Sequence, residues 1–314
     1  MKRIPRIAVV GSSNTDIILR VRRLPRPGET VLGGALSIVA GGKGANQAVA
    51  AARAGGQVAL VARVGCDSFG RAALAGFRRD RIEARRIARD RAQPSGVALI
   101  CVAADGQNSI AVAPGANACL SPADIRRARA QLARADWILL QLEIPTETVA
   151  AALEAAAAAR VPVILNPAPA SPLAPVLLRQ AAVLTPNETE AELLTGVRIR
   201  SESDASRAGR ALLDLGVPVV LITMGTRGVW VGTRQMQQQA PAFRVRPVDT
   251  TAAGDVFNGA LAVALAEGRP LLDAVRFAQA AAAISVTRPG AQPSAPRRRE
   301  IVRLERTGQI QPAR

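Results

Sequence analysis

Residues 249–259 read Asp249-Thr250-Thr251-Ala252-Ala253-Gly254-Asp255-Val256-Phe257-Asn258-Gly259. After this stretch, apolar side chains recur at the three- and four-residue spacing of a helix, at Phe257, Leu261, Ala264 and Leu265. Gly268 is a suitable end for that helix. The small residues 252–254 therefore lie where a loop enters a helix N-terminus. Backbone N–H groups are open to an anion there, and the helix dipole favours negative charge.

Asp255 falls in the first turn of this predicted helix, beside the anion site. A carboxylate next to a phosphate cradle is where a base that activates a hydroxyl group would be placed. Acidic residues are also favoured in the first turn of any helix, because they interact well with its dipole. From spacing alone, the catalytic and the ordinary structural interpretation of Asp255 are equally open.

A second glycine-rich stretch, Gly41-Gly42-Lys43-Gly44-Ala45-Asn46-Gln47-Ala48, opens an alanine-rich helix that ends near Gly55-Gly56. The glycines bring the backbone and Asn46 close to whatever binds at that helix start. A nucleotide P-loop requires Ser or Thr after its lysine, and here Lys43 precedes a glycine, so this stretch is not a P-loop. Of 41 basic residues only Lys2 and Lys43 are lysines, which fits a ligand that needs a compact ammonium group; chance placement is the alternative.

Short apolar runs alternate with helical stretches between residues 58 and 222. The predicted strands are Ile7–Gly11, Val58–Val64, Trp137–Gln141, Val161–Leu165, Ala182–Leu184 and Val217–Ile222, with helices near 43–55, 68–79, 122–134, 146–159, 188–195, 203–215 and 271–286. This alternation predicts a mostly parallel sheet covered by helices on both faces. Segments of about 12–40 and 95–113 depart from the rhythm and read as short strands and turns. We therefore expect one domain over residues 1–314, a three-layer α/β/α sandwich with a small inserted β-sheet.

Polar residues follow several predicted strands, and ligands of open α/β sheets bind at such strand ends. Asn14 and Asp16 follow the first strand, although the residues alone favour turn formers. Glu143 lies just past another strand, where it can accept a hydrogen bond from a hydroxyl group. Asn187 and Glu190 follow a third strand, and their spacing alone favours a helix-capping arrangement.

Two further loops have both a structural and a ligand-binding interpretation. Residues 223–228 read Thr-Met-Gly-Thr-Arg-Gly between predicted strands, so a hairpin turn is the simplest interpretation. Residues 288–294 read Arg-Pro-Gly-Ala-Gln-Pro-Ser after the last long helix. A loop with many free carbonyl groups suits a monovalent cation, but it is equally well an ordinary loop.

Composition excludes several classes of function. There is no histidine, which leaves carboxylates as the natural acid–base groups, and three widely spaced cysteines indicate neither a disulfide framework nor a zinc site. The net charge of +17 is spread along the chain and aromatic residues make up only 2%, so we expect no nucleic-acid partner. No apolar run is long enough to span a bilayer and no signal peptide is evident, so we expect a cytoplasmic protein without membrane contact.

The pattern Asp249-Thr250-x-x-Ala253-Gly254-Asp255-x-Phe257-x-Gly259 resembles the C-terminal signature of the ribokinase-like (PfkB) carbohydrate kinases. The stretch Gly41–Ala48 resembles the N-terminal sugar-binding signature of the same family. The resemblance runs from residue 11 to residue 294 and is strongest to the ribose kinases of the family. It implies an enzyme that transfers a phosphoryl group from ATP to O5 of D-ribose, giving D-ribose 5-phosphate and ADP.

The resemblance also implies roles for individual residues. Asp255 would be the general base, and Ala252, Ala253 and Gly254 would form the anion hole for the transferred group. The hydroxyl groups of the sugar would be held by Asn14, Asp16, Gly42, Lys43, Asn46 and Glu143. The inserted β-sheet would be a lid over the sugar and the interface of a homodimer.

For the nucleotide and its metal ions, the resemblance implies three groups of residues. ATP would be contacted by Asn187, Thr223, Gly225, Gly228 and Gly254, with Gln279 on the adenine side. Mg²⁺ would be held through water by Glu190 together with Asn187. An activating K⁺ would be bound by Asp249, Thr251, Ser285, Arg288, Gly290 and Ser294.

The sequence departs from the family pattern in two places, and two alternative functions stay open. Gln279 and Ser285 occupy variable positions of the family, and residues 232–243 carry no motif that we can interpret. A kinase of another small sugar or nucleoside would use the same residues, because pocket shape discriminates between similar sugars. A regulator that has lost activity is a different class of function, which the retained Asp255, Gly254 and Asn187 argue against.

Overall fold

The computed structural model describes residues 3–309. Residues 1–2 and 310–314, the ends of the expected 1–314 domain, lie outside the described residues. The strands are β1 (Arg6–Val10), β2 (Asn14–Arg20), β3 (Leu36–Gly41), β4 (Gln57–Gly65), β5 (Glu83–Asp90), β6 (Gly96–Val102), β7 (Asn108–Ala113), β8 (Trp137–Leu140), β9 (Val163–Leu165), β10 (Val183–Leu184), β11 (Val219–Thr223), β12 (Val229–Thr233) and β13 (Gln237–Ala240).

Ten helices lie between or after these strands within residues 3–309. They are α1 (Lys43–Ala54), α2 (Ser68–Arg79), α3 (Pro122–Leu132), α4 (Thr146–Ala159), α5 (Pro175–Leu178), α6 (Glu188–Thr195), α7 (Glu202–Asp214), α8 (Ala253–Ala266), α9 (Leu271–Ser285) and α10 (Arg298–Thr307), with 3₁₀ turns at Gly115–Cys119, Gly225–Arg227 and Gln292–Ser294. In the described part of the chain, no helix is both long enough and apolar enough to cross a membrane.

The large sheet has the strand order β13-β12-β11-β10-β9-β8-β1-β4-β5. Every pairing from β11 to β5 is parallel, whereas β12 and β13 add antiparallel strands at one edge. The smaller sheet has the order β3-β2-β6-β7 and is mixed. Because β1, β8, β9 and β10 are parallel, their carboxyl ends meet at one edge, where the site is built.

The internal strands of the large sheet are buried on both faces. In β1, Ile7 and Val9 pack into one apolar cluster with α1, α8 and α9, and Ala8 and Val10 pack into a second cluster with α3, α4 and α7. Such two-sided burial is what a parallel sheet covered by crossover helices requires. The predicted α/β architecture, with a large mostly parallel sheet and a smaller sheet, is therefore confirmed.

Helices α1 and α8 approach each other closely, and this contact joins the two signature stretches. A side chain at Gly259 would place its Cβ 2.6 Å from the Gln47 carbonyl oxygen and 2.7 Å from the Cβ of Ala50. Only glycine fits between the helices at this position. The close approach brings the first turns of both helices together, although they are about 200 residues apart in the chain.

Several local expectations were wrong or incomplete. Asn14 and Asp16 do not form a turn but begin β2, because both backbone edges of that segment pair with neighbouring strands, Asp16 with Val39 on one side and Ala98 on the other. Strands β5 and β13 were not predicted, since Glu83–Asp90 is rich in arginine and Gln237–Ala240 is mostly glutamine. The predicted helices are all present, with ends that differ by at most a few residues.

Candidate active site

Asp255 lies in the first turn of α8 and is buried between the two helix starts. Its Oδ2 accepts a hydrogen bond of 2.9 Å from Asn46 Nδ2, and its Oδ1 accepts one of 3.1 Å from Gln47 Nε2. Both donors lie on α1, so the packing of α1 on α8 orients the carboxylate. Burial raises the pKa of Asp255, and the charge of Lys43 and the two amide donors oppose that rise.

Lys43 is the first residue of α1, and its ammonium group faces four carboxylates. Burial works to lower the pKa of Lys43, but the negative charges of Asp255, Glu143, Glu190 and Asp16 together outweigh burial and raise it. The Nζ atom lies 4.0 Å from Glu143 Oε1. A compact cation in the middle of several acceptors can hold a polyhydroxylated ligand without displacing the carboxylates.

Glu143 is held at the start of α1 by two donors. Ser12 Oγ donates to its Oε2 over 2.6 Å, and the backbone N–H of Lys43 donates to the same oxygen over 2.9 Å. The other oxygen, Oε1, faces the Lys43 ammonium group. Glu143 follows β8 and Ser12 follows β1, so two adjacent strand ends position this acceptor.

Asp16 carries a strongly shifted carboxyl group on the small sheet. Burial, followed by repulsion from Glu143 and Asp255, raises the pKa of Asp16 to about 6, against the attraction of Lys43. Asp16, Glu143 and Asp255 thus lie close enough to one another and to Lys43 for their charges to interact. Their ionised oxygens are acceptors for hydroxyl donors.

The orientation of Asn14 is set by a residue that the sequence did not single out. Asn117 Nδ2 donates to Asn14 Oδ1 over 2.7 Å and to the Ser13 carbonyl oxygen over 3.2 Å, while Asn117 Oδ1 accepts from the Ser13 N–H over 2.9 Å. Since the oxygen of Asn14 is already bonded, its amide N–H groups are the part left for a ligand.

The two helix starts have unusual backbone conformations. Gly42, the N-cap of α1, has φ 87° and ψ 128°, and a Cβ there would lie 2.6 Å from the backbone nitrogen of Asn14, so glycine is required. Ala252, the N-cap of α8, has φ 60° although it carries a side chain. A left-handed alanine costs about 1–2 kcal/mol. Apart from the two chain neighbours of Gly254 and the backbone of α8 itself, no heavy atom of the described residues lies within 4 Å of where a Cβ on Gly254 would stand, so this side of the helix start is open to a ligand.

Asn187 and Glu190 form the predicted capping arrangement at the start of α6. Each Glu190 oxygen accepts from Asn187, Oε2 from its N–H and Oε1 from its Nδ2, both at 2.9 Å, and Glu190 N–H donates to Asn187 Oδ1. Burial raises the pKa of Glu190, while the Asn187 backbone donor and Lys43 oppose that rise. Glu190 therefore lies close enough to Lys43 and Asp255 for their charges to affect its pKa.

The nucleotide loop predicted at residues 223–228 lies next to this cap. Thr223, at the end of β11, forms an isolated parallel bridge with Asn187, and its N–H donates to the Pro186 carbonyl oxygen. The strands on either side form the predicted hairpin, β11 pairing antiparallel with β12. Gly225 and Gly228 both have positive φ, and the Gly225 side of the loop is open space within the described chain.

Strand β13 connects that loop to helix α9, a connection that sequence reasoning missed. Gln239 Nε2 donates to the Arg227 carbonyl oxygen, and Gln279 Nε2 on α9 donates to the Ala240 carbonyl oxygen over 3.0 Å. Arg227 also forms an ion pair with Glu188. Gln279 thus lies one strand away from the loop, and its contact with adenine stays a prediction.

The residues predicted to bind K⁺ lie on two adjoining segments, one just before α8 and one at and after the end of α9. Asp249 Oδ1 accepts from the Thr251 N–H and Asp249 Oδ2 from the Gly290 N–H, each at 2.8 Å. Burial works to raise the pKa of Asp249, but these donors outweigh burial and lower it. Ser294 is fully buried and donates from Oγ to the Ala291 carbonyl oxygen.

Two members of that set are partly engaged elsewhere. The carbonyl oxygen of Ser285 accepts from the Arg288 N–H, and the Arg288 side chain pairs with Glu300. Across residues 3–309, no three or more Cys, Asp or Glu side chains cluster as metal ligands. A cation here would therefore depend on backbone carbonyl and hydroxyl oxygens, which suit K⁺ better than a transition metal.

The chain was compared with known proteins. The sequence pattern of the pfkB family carbohydrate kinases matches residues 5–298. The chain is 45% identical to the ribokinase of Haemophilus influenzae, over 94% of this chain and 97% of that protein. It is 40% identical to the deoxyribokinase of Salmonella typhi, over 92% of this chain and 95% of that protein.

A solved structure with bound ligands is also similar. The structure of Arabidopsis thaliana ribokinase complexed with ribose and ATP superimposes with a TM-score of 0.88 at 35% identity, covering 97% of this chain and 99% of that one. The similarity extends over both sheets and both signature stretches, since it covers almost the whole chain.

Proposed function

The chain belongs to the pfkB family of carbohydrate kinases, and from this premise we propose that it transfers the γ-phosphoryl group of ATP to O5 of D-ribose. The products are D-ribose 5-phosphate and ADP. The ribokinase relatives, similar over nearly their full length, support the substrate pair. The structural observation that carries the proposal is the buried Asp255 carboxylate beside the open N-terminus of α8.

The residues of the chain divide the chemistry between them. Asp255 accepts the proton of the sugar hydroxyl, and the freed oxygen attacks the γ-phosphorus in line with the leaving ADP. The backbone N–H groups of residues 252–254 stabilise the negative charge that develops on the transferred group. Asn14, Asp16, Gly42, Lys43, Asn46 and Glu143 hold the other hydroxyl groups and so fix the reacting oxygen next to Asp255.

Nucleotide and cation binding form the second part of the proposal. Asn187, Thr223, Gly225 and Gly228 contact the phosphates, and Gln279 lies on the adenine side. Mg²⁺, when bound with ATP, neutralises phosphate charge, and Glu190 with Asn187 would hold it through water. The carboxylate of Asp249 and the hydroxyl group of Ser294 are oxygen ligands of the kind that suits K⁺, and Thr251, Ser285, Arg288 and Gly290 complete the proposed set.

The small sheet is proposed as a lid and as a dimer interface. Asp16 on β2 faces the charges of Glu143, Asp255 and Lys43, where the sugar is proposed to bind, and the next residue, Ile17, lies on the opposite face of the sheet. By register, Ile17 shares that opposite face with Ile38 and Leu99, and the last two are more than half exposed. A second copy of the chain would cover these apolar side chains. A cytoplasmic location also stays a proposal.

A substrate panel tests the function directly. We would measure ADP release from Mg-ATP with D-ribose, 2-deoxy-D-ribose, D-fructose and adenosine, each in potassium and in sodium buffer. The highest kcat/KM with D-ribose, raised by potassium, is the expected result. The similarity to a deoxyribokinase makes 2-deoxy-D-ribose the second candidate. If none of the four substrates reacts while the folded protein binds ATP, the kinase assignment is wrong and a regulatory role takes its place.

A further inference from the structure

We propose that Gln47, held by Gln141 behind it, is a positioning residue that orients the Asp255 carboxylate and stabilises its ionised form. The inference rests on the proposed function and deepens it, because it concerns the group that accepts the proton. Gln47 is fully buried on α1, one residue after Asn46, and it makes a direct contact with Asp255.

Every hydrogen-bonding group of the Gln47 amide is used. Its Nε2 donates to Asp255 Oδ1 over 3.1 Å and to Asn166 Oδ1 over 3.2 Å, and its Oε1 accepts from Gln141 Nε2 over 2.5 Å. Gln141 and Asn166 follow the adjacent parallel strands β8 and β9. The amide therefore connects the base on α8 to the edge of the central sheet.

The direction of this network is determined by groups that accept only. An ionised carboxylate has no proton to donate, so the nitrogen of Gln47 must face Asp255. Asn166 Nδ2 donates to the backbone carbonyl oxygen of Thr185 over 3.0 Å, which leaves its oxygen for Gln47. Gln141 completes the direction by presenting its nitrogen to Gln47 Oε1. All of these hydrogen bonds can form together only when Asp255 is ionised, or when its proton lies on Oδ2 and not on the Oδ1 that faces Gln47.

An amide that merely fills the core would not be built in this way. Gln141 is fully buried, and its Oε1 has no hydrogen-bond partner among the described residues. An unsatisfied buried acceptor is unfavourable, so an apolar side chain would suit Gln141 better if packing were its only role. The Gln141 side chain instead provides a fixed donor to Gln47, which in turn orients Gln47 toward Asp255.

Gln47 acts within a strongly charged environment. The carboxylate of Asp255 is attracted by Lys43 and repelled by Glu143, and it influences Asp16 and Glu190 in turn. Asn46 donates to the second oxygen. Removing Gln47 leaves these charges in place and takes away one donor to the ionised form. The pKa of Asp255 should therefore rise, since hydrogen bonds to a charged form favour that form.

The test replaces Gln47 by methionine, which keeps the size of the side chain and removes the hydrogen bonds that Gln47 Nε2 donates to Asp255 and Asn166. At pH 7 we expect kcat with D-ribose to fall about tenfold, because the base has lost one of its two orienting donors. The acidic limb of the kcat profile should move up by about one pH unit, as expected for a lost hydrogen bond to a charged group. The matched control is Gln180→Met, which removes a side-chain donor that bonds the Val176 carbonyl oxygen outside the site.

A second variant and a second measurement separate this inference from folding effects and from the assignment of function. Gln141→Met removes an unsatisfied acceptor as well as the donor to Gln47, so it should fold and shift the acidic limb by a smaller amount in the same direction. The ¹³C carboxyl resonance of Asp255, assigned by its loss in Asp255→Asn, gives the pKa without any turnover. The inference would be overturned by two results together. The kcat–pH profile of Gln47→Met would have the same shape as that of the wild type, and the resonance of Asp255 would titrate at the same pH in both proteins. If no sugar reacts with the wild type, the proposed function fails, and the titration alone still decides the role of Gln47.

Discussion

Three influences act together on the carboxylate of Asp255: burial, the charge of Lys43, and the donors on α1. Burial favours the protonated form, whereas Lys43, Asn46 and Gln47 favour the ionised form. A base needs this balance, since it must be ionised before the reaction and able to hold a proton after it. The two helix starts that are proposed to bind the ligands would therefore also control the acid–base chemistry.

Replacement of Asp255 by asparagine removes the proton acceptor and keeps the shape of the side chain. We expect kcat to fall by about 10²–10⁴, because the hydroxyl group must then lose its proton to water. The fold and ATP binding should be retained, which circular dichroism and calorimetric titration with ATP would check. Near-normal turnover in the folded variant would show that Asp255 is not the base.

The raised pKa of Asp16 leads to a prediction about stability. In the folded chain this pKa is about 6, mainly through burial and then Glu143 and Asp255, against an ordinary value of 3.8 for an exposed carboxyl group. The folded state thus binds more protons than the unfolded state between these values, and this contribution to stability is lost as pH rises through 6. As the pH rises from 4 to 8, the unfolding free energy of Asp16→Asn should therefore increase relative to that of the wild type by up to about 3 kcal/mol.

Denaturant unfolding at several pH values measures this difference, with Asp105→Asn as the control on an exposed turn of the small sheet. The same Asp16 variant should bind the sugar less tightly, because the anionic acceptor is gone. A difference between wild type and variant that does not change from pH 4 to pH 8 would contradict the assigned ionisation.

For individual residues, the local sequence predicted only part of the candidate site. Asp255, Lys43 and Asn46 stand in glycine-rich stretches at helix starts, where the type of residue already indicates a ligand, although their roles stay predictions. Gln47 and Asn117 could not be recognised. Gln47 follows Asn46 directly, but its partner Asp255 is 208 residues away, and Asn117 lies 103 residues from Asn14. Only the fold brings such pairs together.

At the scale of secondary-structure elements, the start of α8 contains a strained residue. Ala252 has φ 60° at the N-cap, in a region that glycine occupies at lower cost. Ala252→Gly should raise the unfolding free energy by about 1 kcal/mol, and it should lower kcat because the proposed anion hole becomes more flexible. Thermal or denaturant unfolding and steady-state kinetics would measure the two effects.

A matched control for this prediction lies at the end of α4. Arg160 is the left-handed C-cap there, with φ 56°, and the structure assigns it no part in the site. Arg160→Gly should stabilise the chain by a similar amount without changing kcat. If both variants leave kcat unchanged, the conformation of Ala252 has no connection with catalysis.

The missed elements show where periodicity stops being informative. Strand β5 is an edge strand, so its outward positions carry arginine and its apolar pattern is weak. Strand β13 is the other edge and is mostly glutamine. The internal strands were predictable because they are buried on both faces. The turn predicted for Asn14 and Asp16 was wrong because pairing with two neighbouring strands outweighed their local preference.

At the scale of the whole molecule, the outer face of the small sheet leads to a prediction about assembly. Leu99 on β6 is 54% exposed on the face opposite to Asp16. If a second copy covers this face, Leu99→Glu should bury a charge in the interface and convert a dimer to a monomer. Analytical ultracentrifugation would measure the mass.

Val176 is the control for this experiment, since it is an equally exposed apolar residue, also at 54%, on the short helix α5. Val176→Glu should leave the oligomeric state unchanged. A wild-type chain that sediments as a monomer at micromolar concentration would remove the dimer proposal, whereas a dimer unaffected by Leu99→Glu would place the interface elsewhere.

The position of Lys43 has a practical consequence for following the protein in solution. Apart from Lys2, it is the only lysine in the sequence, and it lies among carboxylates where the sugar is proposed to bind. Reagents that modify amines therefore have a single internal target, and because its raised pKa keeps the amine protonated at neutral pH, the reaction needs an alkaline buffer. Mass spectrometry after such acylation, with and without ligand, would report how much of the protein has this site occupied, without a dye, a radiolabel or an engineered tag.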